Sequence, residues 1–181
     1  MKPMKMDKKI TALALVVIAV VAIASFLFYA PSNVNLSVKD PPLQSYDGSI
    51  SAIVVSFSKI DLHEGDAGND SGWHTVVMRG SIDLISVLTV SKVLGSASIL
   101  AGRYNELRLF ASTANITIAS VTVTYTIASG GTSGLKVPIQ GGFQVVGGQS
   151  ITVQLDFAFK NSEIMANGNL MLNPVVSATV A

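Results

Sequence analysis

The chain has 181 residues, room for one domain and an appendage. Hydrophobic residues make up 49% and charged residues 13%, which is too apolar for a disordered chain and short of the ~25% charge usual in soluble domains. Twelve Lys+Arg against eleven Asp+Glu leave a net +1 and no basic field for nucleic acid, and the lack of cysteine excludes disulfides, thiol catalysis, cysteine-ligated zinc and a lipidated N-terminal cysteine.

The apolar excess is concentrated at the front. Lys2, Lys5, Lys8 and Lys9 precede an uncharged run from Ile10 to Ala30, with Phe26, Phe28 and Tyr29 at its far end. About 20 apolar residues at ~1.5 Å rise span the ~30 Å hydrocarbon core of a bilayer. Cationic flanks stay on the cytoplasmic side, so the expected partner of residues 10–30 is lipid, with the rest of the chain outside the cytoplasm. Two alternatives stay open. One is a signal peptide cleaved after Ala22-Ile23-Ala24, although the apolar run continues past that site, and the other is a processed pilin-type leader. Residues 31–35 read as a short tether. The remainder, 36–181, reads as an extracytoplasmic domain. From Pro31 onward there are eight cationic and ten acidic side chains, a net of −2.

Past the leader the pattern has period 2. A first strand is expected over 34–39. Ile53, Val55 and Phe57 then alternate with polar or smaller residues, while Ile60 and Leu62 fall on the other parity, which implies a bulge near Lys59. Residues 63–74 form the one dense polar cluster, His63-Glu64-Gly65-Asp66-Ala67-Gly68-Asn69-Asp70-Ser71-Gly72-Trp73-His74. Glu64, Asp66, Asn69 and Asp70 offer hard oxygen ligands suited to calcium, although their spacing is not that of an EF-hand. A soluble hairpin loop is the plainer account. His63 and His74 flank the loop and could pair on a metal, and Trp73 is either an open platform for sugar or half-buried at the sheet edge.

Strands are expected over 73–78, 104–110, 115–119, 121–127, 134–139, 151–159 and 170–180, with one short helix over 88–94. Breaks rich in Gly, Asn and Asp separate them. Short strands without amphipathic helices between them predict an all-β fold, an immunoglobulin-like or transthyretin-like β-sandwich, behind one N-terminal transmembrane helix. Asn35, Asn69 and Asn115 open glycosylation triplets. The chain lacks the Gly-x-Ser-x-Gly, His-Glu-x-x-His and phosphate-loop patterns. A glycosidase pair would need two strand-borne acids facing a cleft; Asp156 and Glu106 are the candidates, and exposed solvent-face acids are their plainer account. The expected activity is therefore none.

Residues 100–109, Leu-Ala-Gly-Arg-Tyr-Asn-Glu-Leu-Arg-Leu, carry a familiar signature. With Leu36-Ser37-Val38-Lys39-Asp40-Pro41-Pro42, Ile82-Asp83-Leu84, Lys136-Val137-Pro138, Leu155-Asp156-Phe157 and Leu172-Asn173-Pro174-Val175 in this order, the chain resembles the prokaryotic family catalogued as domain of unknown function 4382, over roughly 36–180. The resemblance implies an exported β-sandwich and no particular chemistry. This chain lacks the lipid-anchor cysteine of many members, and Ala158-Phe159-Lys160 stand where members are more acidic. Within the signature, Gly102, Tyr104 and Arg108 read as structural. Gly102 is expected to take a positive-φ turn. Tyr104 is expected to enter the core with its hydroxyl on a loop carbonyl, as in a tyrosine corner. Pro138 and Pro174 are expected at strand ends or edges.

Three roles follow as expectations. The first is a membrane-anchored, non-catalytic surface domain serving structure, adhesion or envelope interaction, with other surface proteins, glycans or copies of itself as partners. The second is a filament subunit whose residues 34–39 complete a neighbour's sheet. The third is a calcium- or carbohydrate-binding module built on residues 64–74.

Overall fold

The computed structural model describes residues 8–39, 47–68, 71–165, 168 and 170–181. Helix α1 (Lys8–Tyr29) comes first, with only uncharged residues after Lys9. At ~1.5 Å per residue its 22 residues reach about 33 Å. It is long and apolar enough to cross a membrane, a property shared by anchors and signal sequences. From Lys8 to Ile23 its side chains are exposed on every side, so it shows no polar stripe that would mark a helix lying on its own protein.

Among the described residues ten strands follow: β1 (Ser32–Val38), β2 (Ile50–Glu64), β3 (Trp73–Asp83), β4 (Lys92–Ile99), β5 (Gly102–Ile118), β6 (Val121–Ile127), β7 (Leu135–Val145), β8 (Ser150–Ala158), β9 (Met171–Leu172) and β10 (Val175–Val180). They form one sheet in the order β3-β2-β5-β7-β10-β8-β1-β4, while β6 pairs with β5 and β9 with β6. β7 and β10 meet at a single parallel bridge, Ile139 to Ala178. About that bridge the sheet folds over into two layers. Its free edges, β3 and β4, come back together closely enough that a Cβ on Gly95 would sit 3.0 Å from Val77 Cγ2. The all-β body behind an N-terminal helix is as the sequence implied, but its two layers are one nearly closed sheet.

The core lies between the layers. Val34, Leu36 and Val38 of β1 and Val153, Leu155 and Phe157 of β8 face Ile53, Val55, Ile60 and Leu62 of β2 and Leu107 and Leu109 of β5, all fully buried or nearly so. The expected parity slip in β2 is present. Its pairing with β5 shifts between Phe57 and Lys59, and that with β3 between Ile60 and Asp61. The slip turns Phe57 and Ile60 to the same interior, and Gly80 opposite leaves room for the Phe57 ring, whose Cζ would lie 2.5 Å from a Cβ there.

Several expectations are corrected. Residues 32–35 are strand rather than tether, because Ser32 and Val34 are already buried between neighbours. The strands expected over 104–110 and 115–119 are one 17-residue strand, β5, whose small Ala111 and Ala114 stay buried across a second parity change. β5 pairs with β7 along its first half and β6 along its second. The helix expected over 88–94 is a single 3-10 turn at Ile85–Val87, and residues 92–94 open β4. A short helix, α2 (Asn161–Met165), was not foreseen. Pro138 sits inside β7, beside the place where pairing with β5 slips between Tyr104 and Glu106. Pro174 does separate two strands, β9 and β10. Residues 40–42 of the opening motif lie outside the described residues.

The β5–β6 hairpin turns on Ala119 (φ 46) and Ser120 (φ 70), two positive-φ positions of the kind that favour Asn-Gly. Replacing the pair by Asn-Gly is expected to stabilise the fold by about 0.5–1 kcal/mol, read as a higher melting temperature of the full chain in detergent. An unchanged or lower value would count against strain in this turn.

Asp156 stands opposite Ser177 on β10, and burial holds its carboxyl above the ordinary 3.8. A carboxyl harder to ionise when folded costs nothing while protonated and destabilises once ionised. That cost is absent below pH 3.8 and grows as pH rises through the raised value. Asp156→Asn should therefore melt above the parent at neutral pH and match it below 3.8. A difference independent of pH would contradict this.

Candidate functional site at the helix-proximal end

Strand direction sorts the loops into two groups. Ser32 begins β1 two residues after α1 ends, and it pairs with Ile99, the last residue of β4. β8 runs parallel to β1, so the β7–β8 turn lies at the same end. β5 starts there with Gly102 opposite Val145, and β2 ends there with Glu64 opposite Tyr104. The end nearest α1 thus gathers the β4–β5 turn, the β7–β8 turn and the polar loop 65–72.

The junction is tied down by Ser32, itself buried. Its Oγ donates to the Val146 carbonyl (2.8 Å) and accepts from Gln149 N (3.2 Å), while Asn33 N donates to the Gln149 carbonyl (2.8 Å). Ala30 N donates back to the Phe26 carbonyl at 2.9 Å, prolonging the helical turn to the edge of the body. A Cβ on Gly148 (φ 80) would come 4.0 Å from Phe26 Cε1. Sequence reasoning missed this junction, because a serine behind a proline carries no distinguishing pattern.

The polar loop closes on itself. Glu64 N donates to Gly72 O (2.9 Å), Ala67 N to Glu64 O (3.0 Å), Ser71 N to Gly68 O (3.0 Å) and Gly65 N to Arg103 O (2.6 Å). Gly72 takes φ 73, and a Cβ there would strike Ala67. Of the four oxygen ligands considered for calcium, Asp66 is exposed, and Glu64 is turned toward His74, its Oε2 3.8 Å from Nε2. Asn69 and Asp70 lie outside the described residues. Among the described residues no three His, Asp or Glu side chains gather as a metal set.

Antiparallel pairing separates the two histidines. His63 is opposite Trp73 and Leu62 is opposite His74, so His63 shares the outer face with Trp73 and His74 shares the inner face with Leu62. A metal shared by His63 and His74 is excluded by this register. The ring nitrogens of His63 already face Asn105 Oδ1 and the Gly68 carbonyl, each at 3.3 Å.

On the inner side, Tyr104 is buried and its hydroxyl donates to the Leu100 carbonyl at 3.1 Å, the tyrosine-corner contact the sequence suggested. Its ring stacks on Phe143 at 5.8 Å and meets His74 edge-on at 5.9 Å. Burial first, and the Glu64 charge second, push the hydroxyl above its ordinary value of 10.0. Gly102 is not in a positive-φ conformation. The position is instead crowded, since a Cβ would lie 3.1 Å from Glu64 Oε1.

On the outer side, the Arg108 guanidinium lies 4.0 Å over the half-buried Trp73 ring, with His63 at 4.5 Å from that ring. Arg108 Nη2 is 3.7 Å from Glu106 Oε1. Beneath this cover Asp61, only 3% exposed, accepts from Thr75 Oγ1 (2.7 Å) and pairs with Lys59, whose ammonium lies 4.4 Å over Phe110. Trp73 therefore offers no open ring on its Arg108 side. Glu106 lies on β5 opposite Pro138, and Asp156 on β8 opposite Ser177. Asn35 lies on β1 and its Nδ2 donates to Ser150 Oγ (3.2 Å), and Asn115 on β5 accepts from Thr124 Oγ1 (2.8 Å).

A model of a family described as domain of unknown function, DUF4382, matches residues 31–174. The chain belongs to that family. Its DUF4382 segment starts directly behind α1 and stops one residue short of β10, a strand the body needs to join its two layers. Comparison with curated proteins and with solved structures finds no match.

Arg108→Ala should uncover Trp73 and the pair beneath it, shifting tryptophan emission to the red and lowering stability by about 1–2 kcal/mol. Arg108→Lys should recover part of both. Unchanged emission in Arg108→Ala would show that the guanidinium does not cover the ring.

Proposed function

We propose that this DUF4382 protein is a bilayer-anchored, extracytoplasmic β domain with a non-catalytic role in structure, adhesion or envelope interaction. The observation that carries the reading is the two-residue connection between an apolar, uncovered helix and a buried strand paired on both sides. A helix apolar on all sides is stable only where its surface leaves water. Lys8 and Lys9 at its start favour the cytoplasmic side for that end. The body then stands outside, with glycans, surface proteins or further copies of itself as its partners. Glycan attachment at Asn35, Asn69 or Asn115 belongs to the same reading.

One observation favours a filament instead. β1 is the first strand of the body, follows the helix directly and fills a slot between β8, to which it is parallel, and β4. A strand so placed is the one that donor-strand assembly would exchange between subunits. A calcium- or carbohydrate-binding role for residues 64–74 is a third reading, supported by the acids of the loop.

Intact mass of the native protein, combined with carbonate extraction of membranes, tests the anchor. The expected result is a full-length polypeptide, with or without glycan mass, that stays in the membrane pellet. A mature chain beginning near residue 25 and released as monomer would overturn it. The same terminus in a high polymer would establish the filament.

A further inference from the structure

We propose that the helix-proximal rim of the body is a second membrane contact: Leu100 and Val146 seat in the lipid headgroup layer and hold the domain in one orientation on the bilayer. This rests on the anchor reading above. From Tyr29 to Ser32 the chain takes one helical step of ~1.5 Å, held by the Ala30 N to Phe26 O bond, and two steps of at most ~7 Å together, and the headgroup layer of one leaflet, the difference between ~40–45 Å and ~30 Å shared between two faces, is about 5–8 Å deep. The first residue of β1 thus lies within or at the outer edge of the headgroup layer.

The rim cannot swing away from that position freely. Ser32 is bonded to the β7–β8 turn through Val146 and Gln149, and it pairs with Ile99, the residue before Leu100. Leu100 is 57% exposed and Val146 37%. Both occupy turns, where an apolar side chain gains nothing from water and transfers favourably into an interface. Gly148, exposed two residues beyond Val146, brings bare backbone to the same surface, next to Phe26. Tyr29 at the end of α1 supplies the aromatic residue that favours the interface. Asp66 and Arg103 are exposed at this end too, so the partner is a zwitterionic surface rather than a strongly anionic one. The opposite end, bearing residues 84–91 and the β5–β6 turn, then faces outward.

The absence of cysteine makes every introduced thiol unique. Full-length Leu100→Cys, Val146→Cys and Val90→Cys chains, spin-labelled and reconstituted in phosphatidylcholine vesicles, give the test. Val90 is the control, 65% exposed in the connection between β3 and β4 at the far end. Collision with a water-soluble nickel chelate should be several-fold lower at Leu100 and Val146 than at Val90, and collision with oxygen higher. In detergent-free carbonate the chain should remain with the vesicles. Equal chelate access at all three sites in a vesicle-bound chain would overturn the rim contact and leave the anchor standing. Release of the chain by carbonate would overturn the anchor, and the rim contact with it.

Discussion

The hydrogen bonds of Ser32 fix how the two chemically different parts of this protein meet. A strand that entered the sheet through a loose linker would leave the apolar helix and the β body free to orient independently. Here the first strand residue is buried, pairs with the end of β4 and binds the β7–β8 turn through its own hydroxyl. Moving the turn away exchanges these hydrogen bonds for bonds to water, a net loss of the order of 0.5–1.5 kcal/mol each. Whatever surroundings the helix finds are therefore imposed on a defined end of the body.

The same constraint keeps β1 flanked on both sides, between β8 and the end strand β4, rather than at an edge. Val34, Leu36 and Val38 fill the layer beside Leu155 and Val153, and every second residue of a strand flanked on both sides loses its water. Removing β1 would open a slot between β8 and β4 along its whole length. Edges are instead left to the two-residue β9 and to β3 and β4, of which the last two meet over Val77 and Gly95. Bringing two edges together shields them from pairing with other chains, the usual hazard of an open sheet.

Much of this was legible in the sequence where the period was clean. The alternation from Ile151 to Phe159 gives β8 and its buried face, and the change of parity after Phe57 gives the bulge in β2. The Tyr104 contact with Leu100 was legible because a tyrosine following Ala-Gly at a strand start has few buried solutions. β4 escaped notice because Gly95, Ser96, Ala97 and Ser98 carry almost no hydrophobic signal; pairing with β1 holds them in place. The joining of 104–110 and 115–119 escaped for the same reason, since Ala111 to Ala114 look like a polar break until β2 is laid beside them. Gly102 was misread because glycine has two uses, conformational freedom and lack of bulk, and only the position of Glu64 distinguishes them.

The histidines show how register decides chemistry. In a hairpin, residues one step apart point to opposite faces whatever their distance along the loop. His63 joins Trp73, Arg108 and Asn105 outside, and His74 joins Glu64 and Tyr104 inside. The two ends of a polar sequence that resembles one site are thereby divided into two supports for the same end of the sheet. One is a cover of stacked cation and rings over the Asp61–Lys59 pair, and the other a stacked tyrosine pinned to the β4–β5 turn. Both stiffen the strands that carry the helix-proximal turns. Chemistry at a surface of this kind depends on holding a shape in place, and the polar residues of this end are arranged to hold it.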